Sequence, residues 1–517
     1  MNFDKTFKKI EKIKDLYDHG QYEMALSLLN AAVRRGIFEA DEQWVVDDCY
    51  SRTYYQMGEV DIALDYAWKS INEPEGQNFR TQQWHFSDYL FMLHYSPRTT
   101  DALMRERHFL YDQFATPESM CHHSHARHRH DRIRIGYLAN SFRGGVITLF
   151  CWPMIVGYDR SRFEVYCYAL EDVKEEGGTL DAVRSQVKVL RSYKWGQMKA
   201  EIVRDIYEDE IDILVDLNVH ASGGCTAAVM CHRPAPVQVA GIGYMATSGT
   251  RAVDYFIGDR YCDPPGAERD FKETLLRLPS HFCYTPLERA RAVKRTYALT
   301  DHIRFATFNN GLKINPEVAA AWAEILRRVP GSTLLVKGSS GKKYMTQERH
   351  RMLLAAEIPA ERIRMEKPSH DFLQRYMDVD IQLDTFPYVG GATMADSLFM
   401  GVPVVTRYGK RHGTRFGYSM LMQVGLGELA SPDTEGYIER AVALAEDRQL
   451  LAALHAQLPE RMRQSPLMDS RGYIRELETC YEEIWQRWLR GPEEADEFPT
   501  FCGVFEKGNR ESVENKV

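Results

Sequence analysis

The sequence predicts an α/β protein with two doubly wound, Rossmann-like parallel sheets, preceded by an all-α repeat region. Two observations support this fold class. From Arg132 onward, apolar strand-like segments alternate with amphipathic stretches, and the alternation restarts after about residue 300. In the first hundred residues the periodicity is helical instead, and one sequence pattern occurs twice. We therefore expect a helical front end followed by two sheet-containing lobes.

The helical front end, residues 1–118, contains a repeated glycine turn. Gly20 and Gly58 each have a tyrosine three residues before them and an alanine five residues after. Small residues beside such a turn allow two helices to pack closely, as in tetratricopeptide (TPR) hairpins. The two glycines are 38 residues apart, where about 34 is usual. A third helical stretch is predicted from about Trp84 to Phe114, and a generic helical cap remains the alternative interpretation.

A histidine-rich run, residues 119–131, separates the helices from the first strand. Its histidines do not follow one helical face, and no carboxylate pairing accompanies them. A metal site needs ligands that converge on one point. We therefore predict a linker here and no metal site.

Strand-like segments define the two lobes, 132–295 and 296–490. The predicted strands are 133–138, 163–170 and 211–217 in the first lobe, and 303–308, 332–337, 362–365, 381–384 and 402–406 in the second. In doubly wound sheets, ligands bind at the carboxyl ends of the strands, so the loops that follow are the candidate sites. The final stretch, 491–517, is acidic and polar and is predicted to be a flexible tail.

The composition excludes several classes of protein. Hydrophobic residues make up 44% of the 517 residues and charged residues 27%, which are globular values. A formal net charge of −8 argues against a dedicated nucleic-acid binder. The ten cysteines form no CxxC pair, the N-terminus lacks an apolar signal core, and no apolar run is long enough to span a membrane. We expect a cytoplasmic protein.

Residues 383–396 have the character of a phosphate-binding turn. They read Leu-Asp-Thr-Phe-Pro-Tyr-Val-Gly-Gly-Ala-Thr-Met-Ala-Asp, which is a strand end, a paired-glycine turn and a helix start. Small residues let backbone amides approach a diphosphate, and a helix N-terminus adds partial positive charge. The residues predicted to bind the diphosphate are therefore Gly390, Gly391, Ala392 and Thr393. Asp396 is predicted to accept hydrogen bonds from the ribose hydroxyls. A tight turn with an acidic cap is the alternative.

A lysine follows the first strand of the same lobe. Residues 308–316, Phe-Asn-Asn-Gly-Leu-Lys-Ile-Asn-Pro, lead into a helix predicted to begin near Pro316. At the carboxyl end of a strand, the charge of Lys313 would offset the negative charge on a departing nucleotide diphosphate. Asn310 lies in the same loop and is also predicted to bind the donor. A lone lysine is more often a surface residue, so the prediction depends on both segments together.

These segments together resemble the O-GlcNAc transferase family, including its plant SPINDLY branch and its bacterial relatives with short TPR regions. The similarity runs from about residue 15 to 489. The motifs are Phe308–Lys313, Leu383–Tyr388, Gly401–Thr406, His232–Val239, Gly243–Gly249 with Val253–Tyr255, and Phe91–Pro97. The resemblance implies a GT-B fold and an inverting transfer of a sugar, GlcNAc from UDP-GlcNAc, to protein Ser or Thr. It implies no metal or other cofactor.

The resemblance also implies residue roles. Lys313 matches the lysine that contacts the donor diphosphate, Thr393 a phosphate-contacting threonine and Asp396 the ribose-binding aspartate. Arg375 matches an arginine near the nucleotide base. His220 is the candidate general base, with a structural histidine as the open alternative. The residues predicted on the acceptor side are Gly145, Tyr244, Thr247 and Ser248.

Four positions depart from the family pattern. Gly145 stands where a histidine is usual, Val389 where asparagine is usual, Ala392 where threonine is usual and Phe372 where a histidine is usual. Glycine cannot hold a proton, so the identity of the general base is left open. The other three departures leave the identity of the sugar donor open. One alternative is an O-fucosyltransferase that uses GDP-fucose, as the resemblance to the SPINDLY branch implies, and another is a catalytically silent subunit. The protein acceptor is predicted to bind through the TPR-like region, and a homo- or hetero-oligomer stays open.

Overall fold

The computed structural model describes residues 3–72, 78–171, 179–194, 199–293, 297–338, 343–369 and 371–491. The chain divides into two compact units. The first unit comprises Met1–Met104 and Pro286–Ser465, and the second comprises Arg105–Thr285 and Pro466–Val517. The sequence-based division at residues 118, 131, 295 and 490 stays a prediction. The predicted tail lies outside the described residues from residue 492 onward.

Helical hairpins begin the first unit. The helices are α1 (Phe3–Asp18), α2 (Tyr22–Arg34), α3 (Gln43–Met57), α4 (Val60–Asn72) and α5 (Phe79–Met92), followed by α6 (Asp101–Phe109). Gly20 and Gly58 turn the chain between paired helices with φ of +73° and +89°, a conformation that favours glycine. The third helical stretch differs from the prediction: it begins at Phe79, and Pro97 separates α5 from α6, because the residue before a proline is held out of the helical region.

The second unit contains a seven-stranded parallel sheet in the order β3-β2-β1-β4-β5-β6-β7. Its strands are β1 (Ile133–Ala139), β2 (Phe163–Ala169), β3 (Val189–Ser192), β4 (Ile213–Asp216), β5 (Val237–Gly241), β6 (Tyr255–Asp259) and β7 (Thr274–Leu278). Its helices are α7 (Val146–Val156), α8 (Thr179–Gln186), α9 (Lys199–Glu208) and α10 (Cys225–Met230). The chain leaves β1 in one direction and returns to add β4 on the other side, so the switch point lies between β1 and β4.

The first unit contains a second parallel sheet in the order β10-β9-β8-β11-β12-β13. Its strands are β8 (Arg304–Thr307), β9 (Thr333–Lys337), β10 (Ile363–Glu366), β11 (Ile381–Leu383), β12 (Val404–Arg407) and β13 (Ala430–Ser431). The helices are α11 (Glu288–Ala292), α12 (Pro316–Arg328), α13 (Lys343–Ala355), α14 (Ala392–Met400), α15 (Phe416–Gln423), α16 (Thr434–Glu446) and α17 (Arg448–Gln464). The last helix, α18 (Ser470–Arg490), packs in the second unit.

The predicted fold class is confirmed, because two doubly wound parallel sheets follow a helical region of paired antiparallel hairpins. Strands β3, β5, β6, β7 and β13 are absent from the sequence prediction. Each is two to five residues long, which is too short for a clear periodic signal. Among the described helices, none has the length and apolar character needed to cross a membrane.

The histidine-rich run joins α6 to β1, and one expectation about it is wrong. The sequence shows no carboxylate paired with these histidines, but His128 Nδ1 lies 2.9 Å from Asp212 Oδ1. The two residues are 84 positions apart. The pairing arises because the run reaches the amino end of β1 and Asp212 precedes β4, the strand next to it.

Candidate active site

The candidate site of the first unit lies at the switch point of its sheet. From β8 the chain adds β9 and β10 on one side and then returns to add β11 on the other. The crevice outside the carboxyl ends of two such strands is the usual ligand position in a doubly wound sheet. The two loops that leave the sheet here are 308–315 and 384–391, which are the two segments that the sequence singles out.

A buried carboxylate organises the two loops. Asp384 Oδ1 accepts hydrogen bonds from Asn309 Nδ2 at 2.9 Å and from the amides of Thr385 at 2.9 Å and Gly390 at 2.8 Å. Its Oδ2 accepts a hydrogen bond of 2.7 Å from Thr406 Oγ1. Burial raises the pKa of Asp384, and these donors act in the opposite direction. The carboxylate therefore fixes the loop geometry, because its oxygens are already occupied by donors of the protein.

A second connection holds the start of α12 against the glycine loop. The Asn315 side chain accepts a hydrogen bond of 3.0 Å from the Val318 amide, which caps α12 as predicted for a helix that begins at Pro316. Its Nδ2 donates to the Phe386 carbonyl at 2.7 Å. One asparagine thus both starts a helix and positions the neighbouring loop.

The paired glycines have different surroundings. A Cβ on Gly390 would lie 2.9 Å from Thr393 Oγ1, 3.0 Å from Asn309 Oδ1 and 3.1 Å from Asp384 Oδ1, so a side chain there would push into the polar network. A Cβ on Gly391 would meet no described atom within 4 Å. Gly390 is therefore required by packing, whereas Gly391 opens onto free space.

The start of α14 is open to a ligand. Gly391 precedes the helix and offers no side-chain cap, so the first amides of α14 have no such partner. The predicted Ala392 and Thr393 are its first two residues. Thr393 Oγ1 donates to Asn309 Oδ1 at 2.7 Å, which ties the helix start to the loop after β8. Uncapped amides with the positive end of the helix dipole suit an anion such as a phosphate.

Lys313 reaches this helix start from the loop after β8. Its Nζ donates to the Val389 carbonyl at 2.8 Å and lies 3.7 Å above the ring centre of Tyr388. The Asn310 side chain shapes the turn below it by accepting from the Leu312 amide at 3.1 Å. Burial lowers the pKa of Lys313 to about 8, and the charge of Asp384 acts against this shift. The ammonium group is therefore held beside the residue that precedes the paired glycines.

The helical region contributes to the same site. The ring of Tyr388, on which Lys313 lies, packs edge-on against Tyr95 with ring centres 4.8 Å apart, and His94 and Phe91 lie at 6.1 Å and 6.5 Å. These three residues follow one another closely at the end of α5. The Phe91–Pro97 motif therefore supports the ring of Tyr388, on which the Lys313 ammonium group lies.

The remaining residues that are predicted to bind the sugar donor, Asp396 and Arg375, lie beside the paired-glycine turn and the start of α14. Asp396 is buried in the second turn of α14. Arg375 makes a two-pronged ion pair with Glu366, with N–O distances of 3.0 and 2.7 Å, and a further ion pair with Asp378. Its neighbour Tyr376 donates to the Thr393 carbonyl at 3.2 Å. Arg375 is thus next in sequence to a residue that contacts the start of α14. Its own guanidinium group is paired with carboxylates.

The structure buries three of the four residues that the sequence predicts on the acceptor side. Thr247 Oγ1 donates to Glu273 at 2.5 Å, and the Ser248 hydroxyl also donates to Glu273. Tyr244 OH lies 2.8 Å from His108 Nε2. Gly145, by contrast, is exposed just before α7, where a Cβ would meet no described atom within 4 Å. The two hydroxyls and the phenol are therefore engaged in internal hydrogen bonds.

The geometry of His220 favours the structural alternative over the general base. The side chain is fully buried, with its Nε2 2.9 Å from the Ser248 carbonyl, so Nε2 carries the proton. The Tyr111 and Tyr244 rings contact it at 4.4 and 5.2 Å. Burial, with a smaller contribution from His108, lowers the pKa of His220 to about 3. A neutral, enclosed imidazole shapes the loop after β4.

A stability measurement checks this assignment. Because the pKa of His220 is depressed in the folded state, its contribution to stability is present above about pH 6.5 and is lost as the pH falls toward 3. We expect His220→Gln to remove up to about 1.4 kcal/mol per pH unit from the slope of unfolding free energy below pH 6. Urea unfolding between pH 7 and pH 4 measures this slope. Equal slopes for both proteins would contradict the buried neutral ring.

Several residues of the site have no predicted role. Asp384, Asn309 and Tyr388 stand inside the quoted motifs, but what they contact depends on the neighbouring loop. Thr406 and Tyr437 come from β12 and α16, and Tyr437 OH donates to the Asp384 carbonyl at 2.9 Å. The polar character of Asn309 and Asp384 directly after strands is the signal that could have marked them.

Two doubly wound parallel sheets, with a paired-glycine turn and a lysine at the switch point of the second, form a GT-B fold. The family model of glycosyl transferase family 41 matches residues 110–289 and 285–477, which is more than half of the chain. The chain therefore belongs to glycosyl transferase family 41, and the predicted resemblance is confirmed.

Known relatives agree with this membership. The probable UDP-N-acetylglucosamine–peptide N-acetylglucosaminyltransferase SPINDLY of Hordeum vulgare is 36% identical over 378 residues, covering 69% of this chain and 38% of the relative. The probable UDP-N-acetylglucosamine–peptide N-acetylglucosaminyltransferase SEC of Arabidopsis thaliana is 27% identical over 375 residues, covering 70% of this chain and 38% of the relative. The chain thus spans about two fifths of the length of these curated relatives.

A solved structure is also similar along most of the chain. A mutant O-GlcNAc transferase of Thermobaculum terrenum superposes with a TM-score of 0.79 at 29% sequence identity. The match covers 91% of this chain and 89% of that one. The similarity therefore includes the helical region as well as both sheets.

Proposed function

We propose that this glycosyltransferase transfers GlcNAc from UDP-GlcNAc to a Ser or Thr hydroxyl of a protein acceptor. The observation that carries the proposal is the ammonium group of Lys313 held beside the uncapped start of α14. A cation and free amides at one place match the charge of a leaving nucleotide diphosphate. The names of the SPINDLY and SEC relatives support the choice of sugar and of a peptide acceptor.

The proposed reaction is a direct displacement with inversion. The acceptor oxygen forms a bond to the anomeric carbon and releases its hydroxyl proton to water, while the bond from that carbon to the diphosphate oxygen breaks. Lys313 and the amides of Gly391, Ala392 and Thr393 take up the charge that remains on UDP. We propose that no metal ion takes part, because the oxygens of Asp384 accept hydrogen bonds from the protein and the positive charge comes from Lys313 and α14. Asp396 and Arg375 are proposed to bind the nucleoside end.

We propose that the acceptor protein binds through the TPR-like region. This region carries a cavity of about 190 Å³, whose lining includes the polar residues Asp48, Arg52, His85 and Asp88. Paired helices of this kind commonly present such surfaces to peptides. The cysteines in the described part of the chain are all free, which fits a reducing cytoplasm.

Titration with nucleotides tests the proposal. Calorimetry with UDP and UDP-GlcNAc should show binding to the full chain, and GDP and GDP-fucose should bind much more weakly. Mass spectrometry of candidate acceptors after incubation with UDP-GlcNAc should show added HexNAc on Ser or Thr. Tighter binding of GDP-fucose would identify an O-fucosyltransferase instead. Binding of none of the four would identify a catalytically silent subunit.

The affinity for UDP should depend on pH above about 8. In the free protein the pKa of Lys313 is lowered to about 8, so UDP must recruit a proton to bind at higher pH. We expect Kd to be flat from pH 7 to 7.5, where a terminal phosphate with a pKa of about 6 is fully ionised, and then to rise up to about tenfold per pH unit. Calorimetry checks this. The Lys313→Met variant should bind UDP weakly, with a Kd that does not change with pH in this range. The same pH dependence in the variant and the wild type would contradict the role of Lys313 in binding the diphosphate.

A further inference from the structure

A cluster of potential metal ligands lies in the second unit, outside the candidate active site. His128 and His130 precede β1, and Asp212 directly precedes β4. One ligand atom from each residue lies within 4.8 Å of the other two. The cluster therefore sits at the amino ends of these strands, at the edge of the sheet opposite the loops that carry Gly145 and His220.

The three side chains converge on one carboxylate oxygen. Asp212 Oδ1 lies 2.9 Å from His128 Nδ1 and 3.6 Å from His130 Nε2. Zinc bonds of about 2.0–2.2 Å to nitrogen and oxygen place tetrahedral ligands about 3.3 Å apart. Small side-chain adjustments therefore bring all three atoms onto one ion. Glu210 Oε2 lies 3.9 Å from His130 Nε2 but accepts a hydrogen bond of 3.3 Å from Arg134, so it is outside this group of three.

Hydrogen bonds behind the ligands orient them. His128 Nε2 lies 3.2 Å from His123 Nδ1, and His123 Nε2 lies 2.9 Å from the Arg233 carbonyl. On the other side, the Arg134 amide donates to Asp212 Oδ2 at 2.8 Å, which leaves Oδ1 facing the histidines. Such outer contacts to the second ring nitrogen and the second carboxylate oxygen are typical of protein metal sites.

The hydrogen bonds of His123 and His128 indicate which ring nitrogens of these histidines carry protons. A carbonyl can only accept, so His123 donates from Nε2, and its contact with His128 is satisfied by a proton on His128 Nε2. The lone pair of His128 Nδ1 then faces the Asp212 carboxylate at 2.9 Å. Two electron-rich atoms at this distance need a cation between them. The His130 Nε2 atom is buried and makes no hydrogen bond to any described residue.

We propose that His128, His130 and Asp212 bind one zinc ion, with a water molecule in the fourth position. Two imidazoles with a carboxylate suit zinc in both ligand type and geometry. The ion would fasten the histidine-rich run to the sheet of the second unit, so its role is structural. This site is independent of the proposed glycosyl transfer, which uses residues of the first unit.

Metal analysis of the full chain tests the proposal. After removal of metal with a chelator, we expect the protein to bind one equivalent of Zn²⁺, measured by elemental analysis and by competition with a chromophoric chelator. Cobalt(II) should bind in its place and give the intense visible absorption of a tetrahedral site. An excess of zinc should raise the unfolding midpoint by about 5 °C. UDP affinity should be the same with and without zinc, so failure here and failure of the proposed transfer are distinguishable.

Variants of the same histidine-rich run provide matched controls. His130→Gln should lower the zinc affinity by about 100-fold or more, whereas His123→Phe, which removes an orienting contact, should cost about 10- to 100-fold. His122→Gln should have no effect, because its side chain is exposed and outside the cluster. Failure of the wild type to bind zinc or cobalt would overturn the proposal. Equal affinity in His130→Gln and wild type would overturn it too, since exposed histidines would then hold the ion.

Discussion

Replacement of Lys313 by methionine is expected to lower kcat for sugar transfer by about 100-fold or more, the usual loss when one preorganised charge-stabilising group is removed. Methionine keeps the length of the side chain and its contact with the Tyr388 ring but cannot balance the charge of the leaving diphosphate. Initial rates with UDP-GlcNAc and a peptide or protein acceptor, measured under saturating donor, give this value.

Stability separates this effect from misfolding. Because burial depresses the pKa of Lys313, its charge is less favourable in the folded state than in the unfolded chain, so the methionine variant should unfold at the same temperature or higher. Lys69→Met is a matched control, since Lys69 also lies over a tyrosine ring, that of Tyr66 at 4.9 Å, but on the helical region. It should retain full activity. A Lys313→Met enzyme with more than a tenth of wild-type activity would contradict the assignment.

Alanine at Gly391 is expected to lower kcat/KM by about 100-fold while leaving the fold intact. The new methyl group would meet no described atom of the protein, but it would stand in the open space at the start of α14. A diphosphate that binds the first amides of α14 would be displaced by about 1 Å, and a displacement of that size is enough for such a loss. Calorimetry with UDP and steady-state kinetics measure the two consequences.

The neighbouring glycine gives the contrasting variant. In Gly390→Ala the methyl group would lie 2.9 Å from Thr393 Oγ1 and 3.0 Å from Asn309 Oδ1, so we expect a loss of about 1–3 kcal/mol in unfolding free energy. Urea unfolding of both variants compares them. If Gly391→Ala bound UDP as tightly as wild type, the diphosphate would lie elsewhere, and the proposed site would be wrong.

The elements of the candidate site could be predicted because their signals are local. The strand end, the paired glycines and the helix start all fall within residues 383–396, and turn chemistry acts over that range. Lys313 could be placed at a strand end for the same reason. The sequence left two roles open for His220, because the choice depends on burial by Tyr111, Tyr244 and the Ser248 carbonyl, which come from other parts of the chain.

Family resemblance extended these local signals to residue roles, and the structure places those residues in different surroundings. It directed attention to Lys313 and Thr393, which the structure brings to the same helix start through Val389 and Asn309. It also suggested acceptor contacts for Thr247 and Ser248, but both hydroxyls donate to buried Glu273. A motif identifies which residues matter without saying whether a side chain faces the ligand or the core.

The sequence by itself determined the fold class and the two loops that form the candidate site, because hydrophobic periodicity and glycine turns are properties of neighbouring residues. Only the tertiary structure decided which distant residues meet. The pairing of β8 with β11 joins Asn309 to Asp384, and packing of the helical region brings Tyr95 to Tyr388. The adjacency of β1 and β4 likewise brings the histidine-rich run to Asp212. Such contacts depend on the order of strands across a sheet, which no short stretch of sequence specifies.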